Sequence, residues 1–194
     1  MTKIKTMIFK KTVYMLVAAL LIHGCTASNN YYMLSMPKQP TKTYMHSDMR
    51  IGVEKVSVPN YFSKRQLAVV KSSSQISFIE SAVWAEDMNA GLTSRLIGFL
   101  QKKFRQPEVY AYPWDTDKQP DVKVKVQVTR FIAQGDRVYL DANWEVENMR
   151  TQKRIAKLFS TSVVTNSDAS SIVDAMHRAF GELEEDIAKG LYRF

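Results

Sequence analysis

The sequence predicts an α+β domain: an antiparallel sheet with two long helices packed on one face, an α/β sandwich. Three observations lead there. Val122, Val124, Val126 and Val128 alternate with Lys123, Lys125, Gln127 and Thr129, and Val138 to Glu147 alternates in the same way. Such period-2 runs are strands with one wet face. Met88, Leu92, Leu96, Phe99 and Leu100 share one helical face, and Ile172, Met176, Ala179, Phe180, Leu183 and Ile187 form a second stripe. The order strands, helix, strands, helix places both helices against the apolar side of one sheet.

The chain opens with Lys3, Lys5, Lys10 and Lys11 and no acid before Lys11, followed by an apolar or aromatic run from Val13 to Ile22. A basic stretch, an apolar stretch and a small residue at Gly24 have the form of an export signal. The run is about ten residues, too short for a spanning helix of roughly 20. Cys25, the only cysteine, follows directly. Its position resembles a bacterial lipobox, in which the signal is cut before the cysteine and the cysteine is lipidated. The expected organisation is a lipoprotein signal peptide at 1–24, a lipidated N-terminus and short linker at 25–30, and one domain at 31–194. The alternative is an uncleaved N-terminal anchor with an incidental cysteine. Thr26 follows the cysteine. In enteric-type sorting an aspartate there retains a lipoprotein in the inner membrane, so Thr26 leans towards the outer membrane, periplasmic side.

Removing residues 1–24 from 194 leaves 170, enough for one domain with one core. The formal charge of +8 falls by the four lysines of the signal, to +4. That charge favours anionic lipid or an acidic protein partner weakly, and is poor support for nucleic acid. A lone cysteine forms no internal disulfide and no metal cluster.

The elements follow in order. Thr26 to Asn30 is a polar linker and Tyr31 to Leu34 is strand-like. Lys38 to Asp48 is polar, carries Pro40 and reads as a loop. Arg50 to Val58 reads as a strand whose phase changes between Val53 and Val56, which predicts a bulge near Glu54-Lys55. Gln66–Lys71 and Gln75–Ile79 form a hairpin across Ser72-Ser73-Ser74. The first helix runs from Trp84 to Phe104, with Glu86 and Asp87 in its first turn and Lys102 and Lys103 in its last. Glu108 to Tyr112 is a short strand. Gln134-Gly135-Asp136 joins the two alternating strands as a tight hairpin, and a third antiparallel strand follows at Lys153 to Val164. Asp168 caps the last helix, from Ala169 to about Gly190.

Catalytic chemistry is hard to place. His23 leaves with the signal, His46 lies in a polar loop, and His177 lies beside an apolar stripe and reads as a surface residue. They are too few and too scattered for a metal site or a Ser-His-Asp arrangement. The seven glycines are spread singly, with no phosphate loop. Glu182, Glu184, Glu185 and Asp186 read as a solvated helix face rather than an acid/base pair. Lys123 and Lys125 read as an ordinary wet sheet face. Trp144 is in the apolar phase of its strand and reads as core. Trp114, flanked by Tyr110, Tyr112 and Pro113 in a turn-rich loop, is the best candidate for an exposed partner contact. The expectation is therefore a non-enzyme with no catalytic residue, no metal and no cofactor.

Several stretches together resemble the ABC-type transport auxiliary lipoproteins: Gly24-Cys25, the opening Asn30-Tyr31-Tyr32-Met33-Leu34, and Ala82-Val83-Trp84-Ala85-Glu86. Val53-Glu54-Lys55-Val56-Ser57-Val58-Pro59-Asn60-Tyr61-Phe62 is similar to the family's V-x-x-V-x-V-P-x-Y-L stretch, with Phe62 in place of leucine. The resemblance covers nearly the whole mature chain. It implies a docking subunit of an envelope lipid-transport system, anchored in membrane lipid through Cys25 and partnered by an MCE (mammalian cell entry) domain protein that forms a periplasmic tunnel. A homo-oligomer stays open, as do an accessory role in a secretion or cell-wall assembly and a lipid-processing hydrolase. No GxSxG nucleophile elbow is present to favour the hydrolase.

Overall fold

The computed structural model describes residues 28–36, 39–44, 49–116 and 119–194. Cys25, His23 and His46 lie outside the described residues, as does the whole of the expected signal peptide. The strands are β1 (Asn30–Tyr32), β2 (Ile51–Val53), β3 (Gln66–Ser72), β4 (Gln75–Trp84), β5 (Val109–Ala111), β6 (Val122–Gln134), β7 (Arg137–Asn148) and β8 (Arg154–Val164). The helices are α1 (Met88–Phe104) and α2 (Ala169–Leu191).

The meander β6–β7–β8 is antiparallel, as the alternation predicts, and β7 pairs with β8 over eleven residue pairs without a register shift. The sheet as a whole is mixed. β2 and β3 both run parallel to β6 and share its other edge, β2 near Val122 and β3 near Ala133. β5 adds in parallel to β2, and β1 in parallel to β4. The helix-side residues of β6 and β7, from Val122 to Val128 and from Val138 to Val146, are all buried.

Two boundaries move. The strand expected over Arg50 to Val58 pairs only at Ile51–Val53, then touches β6 again at a single bridge, Ser57 with Gln127. The break falls at Glu54-Lys55, where the phase changes, and it lets Ile51, Val53 and Val56 all reach the core. α1 begins at Met88, where its apolar stripe begins, and not at Trp84 as expected. β4 continues through Trp84, whose N–H donates to the Arg65 carbonyl. Asp87 is the N-cap, accepting from the Ala90 N–H at 3.0 Å. Asp168 caps α2 as expected, accepting from the Ser171 N–H at 2.8 Å.

α2 lies across β7 and β8, and α1 lies over β5 and against α2. Phe180 sits at the centre, fully buried, with the Phe131 ring 6.3 Å away. Gly190 is a close-approach glycine: a Cβ there would come 2.4 Å from the Trp144 ring. Trp144 is buried as predicted, and its indole N–H donates to Asp186 at 2.9 Å. Among the described residues no helix is long and apolar enough to cross a membrane.

Candidate functional site

The segment that follows the expected anchor is built into the fold. Asn30, Tyr31 and Tyr32 pair with Ala82, Val83 and Trp84, and the Tyr32 carbonyl accepts from the Ala85 N–H at 2.7 Å. Leu34 is buried. The Met33 and Leu34 carbonyls meet a polar cluster between the two helices.

Arg95 of α1 is the hub. Its Nε and Nη2 donate to the two carboxylate oxygens of Glu184 on α2, at 3.0 and 2.9 Å. Nη2 also donates to the His177 carbonyl at 2.9 Å, and Nη1 reaches His177 Nδ1 at 2.8 Å and the Leu34 carbonyl at 3.5 Å. The guanidinium lies 5.1 Å from the Phe180 ring centroid. A guanidinium only donates, so Nδ1 must accept. The proton of neutral His177 then sits on Nε2, which donates to the Met33 carbonyl at 3.1 Å. Strap and helices are thus tied through one imidazole.

The electrostatics follow from burial. Arg95 and Glu184 are both fully buried. Burial raises the Glu184 pKa to about 7, against the pull of the Arg95 guanidinium. The His177 pKa is pushed down, first by burial and then by Arg95, with Asp174 and the Met33 carbonyl opposing. A histidine lowered in the folded state contributes stability that is present above its unfolded value, near 6.5, and lost as pH falls below it. Glu184 runs the other way: its raised pKa favours the fold at lower pH and costs stability as pH rises towards about 7. Comparing the wild type with His177→Gln isolates the histidine. The stability advantage of the wild type, read by urea denaturation, should shrink as pH falls through the region below about 6.5. An advantage that grows on acidification would refute the neutral tautomer.

The acidic run on α2 is therefore not a free solvated face. Glu182 accepts from Thr161, Glu185 from Lys103 at 2.6 Å, and Asp186 from Lys157 at 2.6 Å as well as from Trp144. Lys103 is buried, with its Nζ 4.8 Å from the Tyr44 ring centroid. His177 is likewise a half-buried link rather than a surface residue.

The predicted aromatic loop is partly inward. Trp114 is half-buried, and its ring lies where a Cβ on Gly52 would come within 2.7 Å. Its indole nitrogen is buried without an acceptor among the described residues. Tyr112 meets Trp114 edge-on at 5.2 Å and is 60% exposed. The Tyr112-Pro113 peptide is cis. Tyr110 is half-buried in β5. Of the three, Tyr112 offers the most surface. The sequence places the edge strand β8 but does not single out its most exposed apolar residue. Leu158 is 80% exposed at its middle, beside a shallow groove of about 360 Å³ lined by Lys125, Gln127, Asn143, Glu145 and Ala156. Lys123, expected on this wet face, pairs with Glu147 at 3.0 Å.

The described residues thus form one mixed sheet carrying two helices, with the N-terminal strap woven in. The chain belongs to the ABC-type transport auxiliary lipoprotein component family, whose profile matches residues 32–188. Among solved structures it is similar to protein XCC0632 from Xanthomonas campestris, at 14% identity and a TM-score of 0.69, over 81% of this chain and 91% of that one. It is also similar to an uncharacterized protein, at 19% identity and a TM-score of 0.66, over 84% of this chain and 99% of that one. These likenesses concern the fold. No curated protein matches the chain.

Proposed function

We propose that this protein is a non-catalytic, lipid-anchored docking subunit of an envelope lipid-transport system. Its anchor is Cys25, its place is the periplasmic side of the outer membrane, and its partner is an MCE-domain protein. The family supplies the coarse statement, an auxiliary component of transport. One observation carries the finer reading: β1 begins at Asn30, five residues after Cys25. Five residues reach roughly 17 Å at most. A domain so closely tethered holds station at its membrane, and a partner bridging the periplasm has to come to it. Tyr112 and the exposed β8 edge are the surfaces offered.

Recovery of the lipidated protein from membranes, with identification of what accompanies it, tests this. The expected result is an MCE-domain protein in the wild-type sample and its loss with Cys25→Ser, whose product should remain an unprocessed precursor. Consistent recovery of a secretion or cell-wall assembly instead would transfer the anchor and the docking role to that system. Turnover of lipid by the purified protein would end the non-catalytic reading.

A further inference from the structure

We propose that the processed domain rests on the bilayer with its β1–β4 edge and β3–β4 turn against the lipid headgroups, and with its β8 edge turned away. The inference depends on Cys25 being the anchor, and it adds which surface meets lipid and which is left for a protein.

Four observations support it. The first is reach. Strand order from one edge to the other is β1, β4, β3, β6, β7, β8. Five steps at about 4.8 Å put β8 roughly 24 Å from β1. The tether of roughly 17 Å is shorter than that. With β8 on the bilayer, β1 would stand farther from the surface than the chain between Cys25 and Asn30 extends.

The second is direction. β1 is parallel to β4, with Asn30 opposite Ala82 and Tyr32 opposite Trp84. Chain upstream of Asn30 is thus aimed back along β4 towards Gln75 and the β3–β4 turn. β1 covers only the last three residues of β4, so the edge from Gln75 to Ser81 has no strand on it among the described residues.

The third is rigidity. The strap is held by the β1–β4 ladder, by buried Leu34 and by the His177 and Arg95 bonds to the Met33 and Leu34 carbonyls.

The fourth is chemistry. From Lys55 to Ile79 the chain carries Lys55, Lys64, Arg65 and Lys71 and no acid, and exposed Glu80 is the one acid on the open β4 edge from Gln75 to Ser81. The turn itself is Lys71-Ser72-Ser73-Ser74-Gln75, all exposed, with Ile76 42% exposed next to it. A cation, hydroxyls and one apolar side chain suit anionic headgroups and the layer just below them.

The single cysteine makes the test direct. Once Cys25 is joined to lipid, an introduced cysteine is the only free thiol. Ser73→Cys and Leu158→Cys both fall on exposed positions, so neither should disturb the fold. Each full-length variant is processed in cells, checked by intact mass, labelled with a fluorophore and placed in vesicles of phosphatidylethanolamine and phosphatidylglycerol. The vesicles carry a headgroup-attached quencher. The Ser73 label should be quenched several-fold more than the Leu158 label. Equal quenching, or stronger quenching at Leu158, in protein of the lipidated mass overturns the orientation alone. A mass that retains residues 1–24, or lacks added lipid, overturns the anchor reading and the orientation with it.

Discussion

Arg95→Met is expected to lower the stability of the protein by about 3–5 kcal/mol at neutral pH, the usual consequence of leaving one member of a buried ion pair alone. Glu184 would keep its burial and lose both guanidinium bonds. Its pKa already stands at about 7 with Arg95 present. Without Arg95 it rises further, so the variant should recover part of its deficit on acidification, when Glu184 becomes neutral. A second change, Glu184→Leu, should restore much of the loss at neutral pH, because an apolar pair of similar bulk avoids the desolvation cost. Urea denaturation of the single and double variants measures this. A deficit of the single variant below about 1 kcal/mol would mean the pair is not buried in solution.

Phe180→Ala is the second large effect, expected at about 3–5 kcal/mol. The ring is fully buried, stacks near Phe131 and lies under Arg95. Its removal therefore takes away apolar contact and a cation–π partner together, and leaves a cavity at the junction of both helices and the sheet. Because the site is close to Arg95, the two losses should not be additive. A cost under about 2 kcal/mol would show that the helices close over the gap.

How legible this was depends on sequence separation. The β6–β7–β8 meander and α2 stood out because their partners are neighbours in the chain and one face of each is wet. The parallel pairs did not. β1, β2 and β5 are three residues each, too short to show a period, and nothing local says which distant strand they join. The Arg95–Glu184 pair joins residues 89 apart. One signal was available: Glu184 falls four residues after Phe180 and three before Ile187, on the buried stripe rather than opposite it. A charge at stripe spacing calls for a partner, and Arg95, three residues after Leu92 and next to Leu96, has the matching place on α1. The turn-like surroundings of Trp114 point to exposure, yet it is half-buried. The contrary sign was Gly52, a glycine inside a strand, which often marks a close approach by another group.

The bond from His177 to the Met33 carbonyl spans 144 residues. Nothing in the first half of the chain can complete it. A polypeptide delivered from its N-terminus can pair β1 with β4 early, but the bond to Met33 has to wait until the last helix has arrived. Contacts closed so late carry little weight in the rate of folding and much in the rate of opening. The strap is then a latch: loosening it should leave refolding almost as fast as before and shorten the lifetime of the folded state.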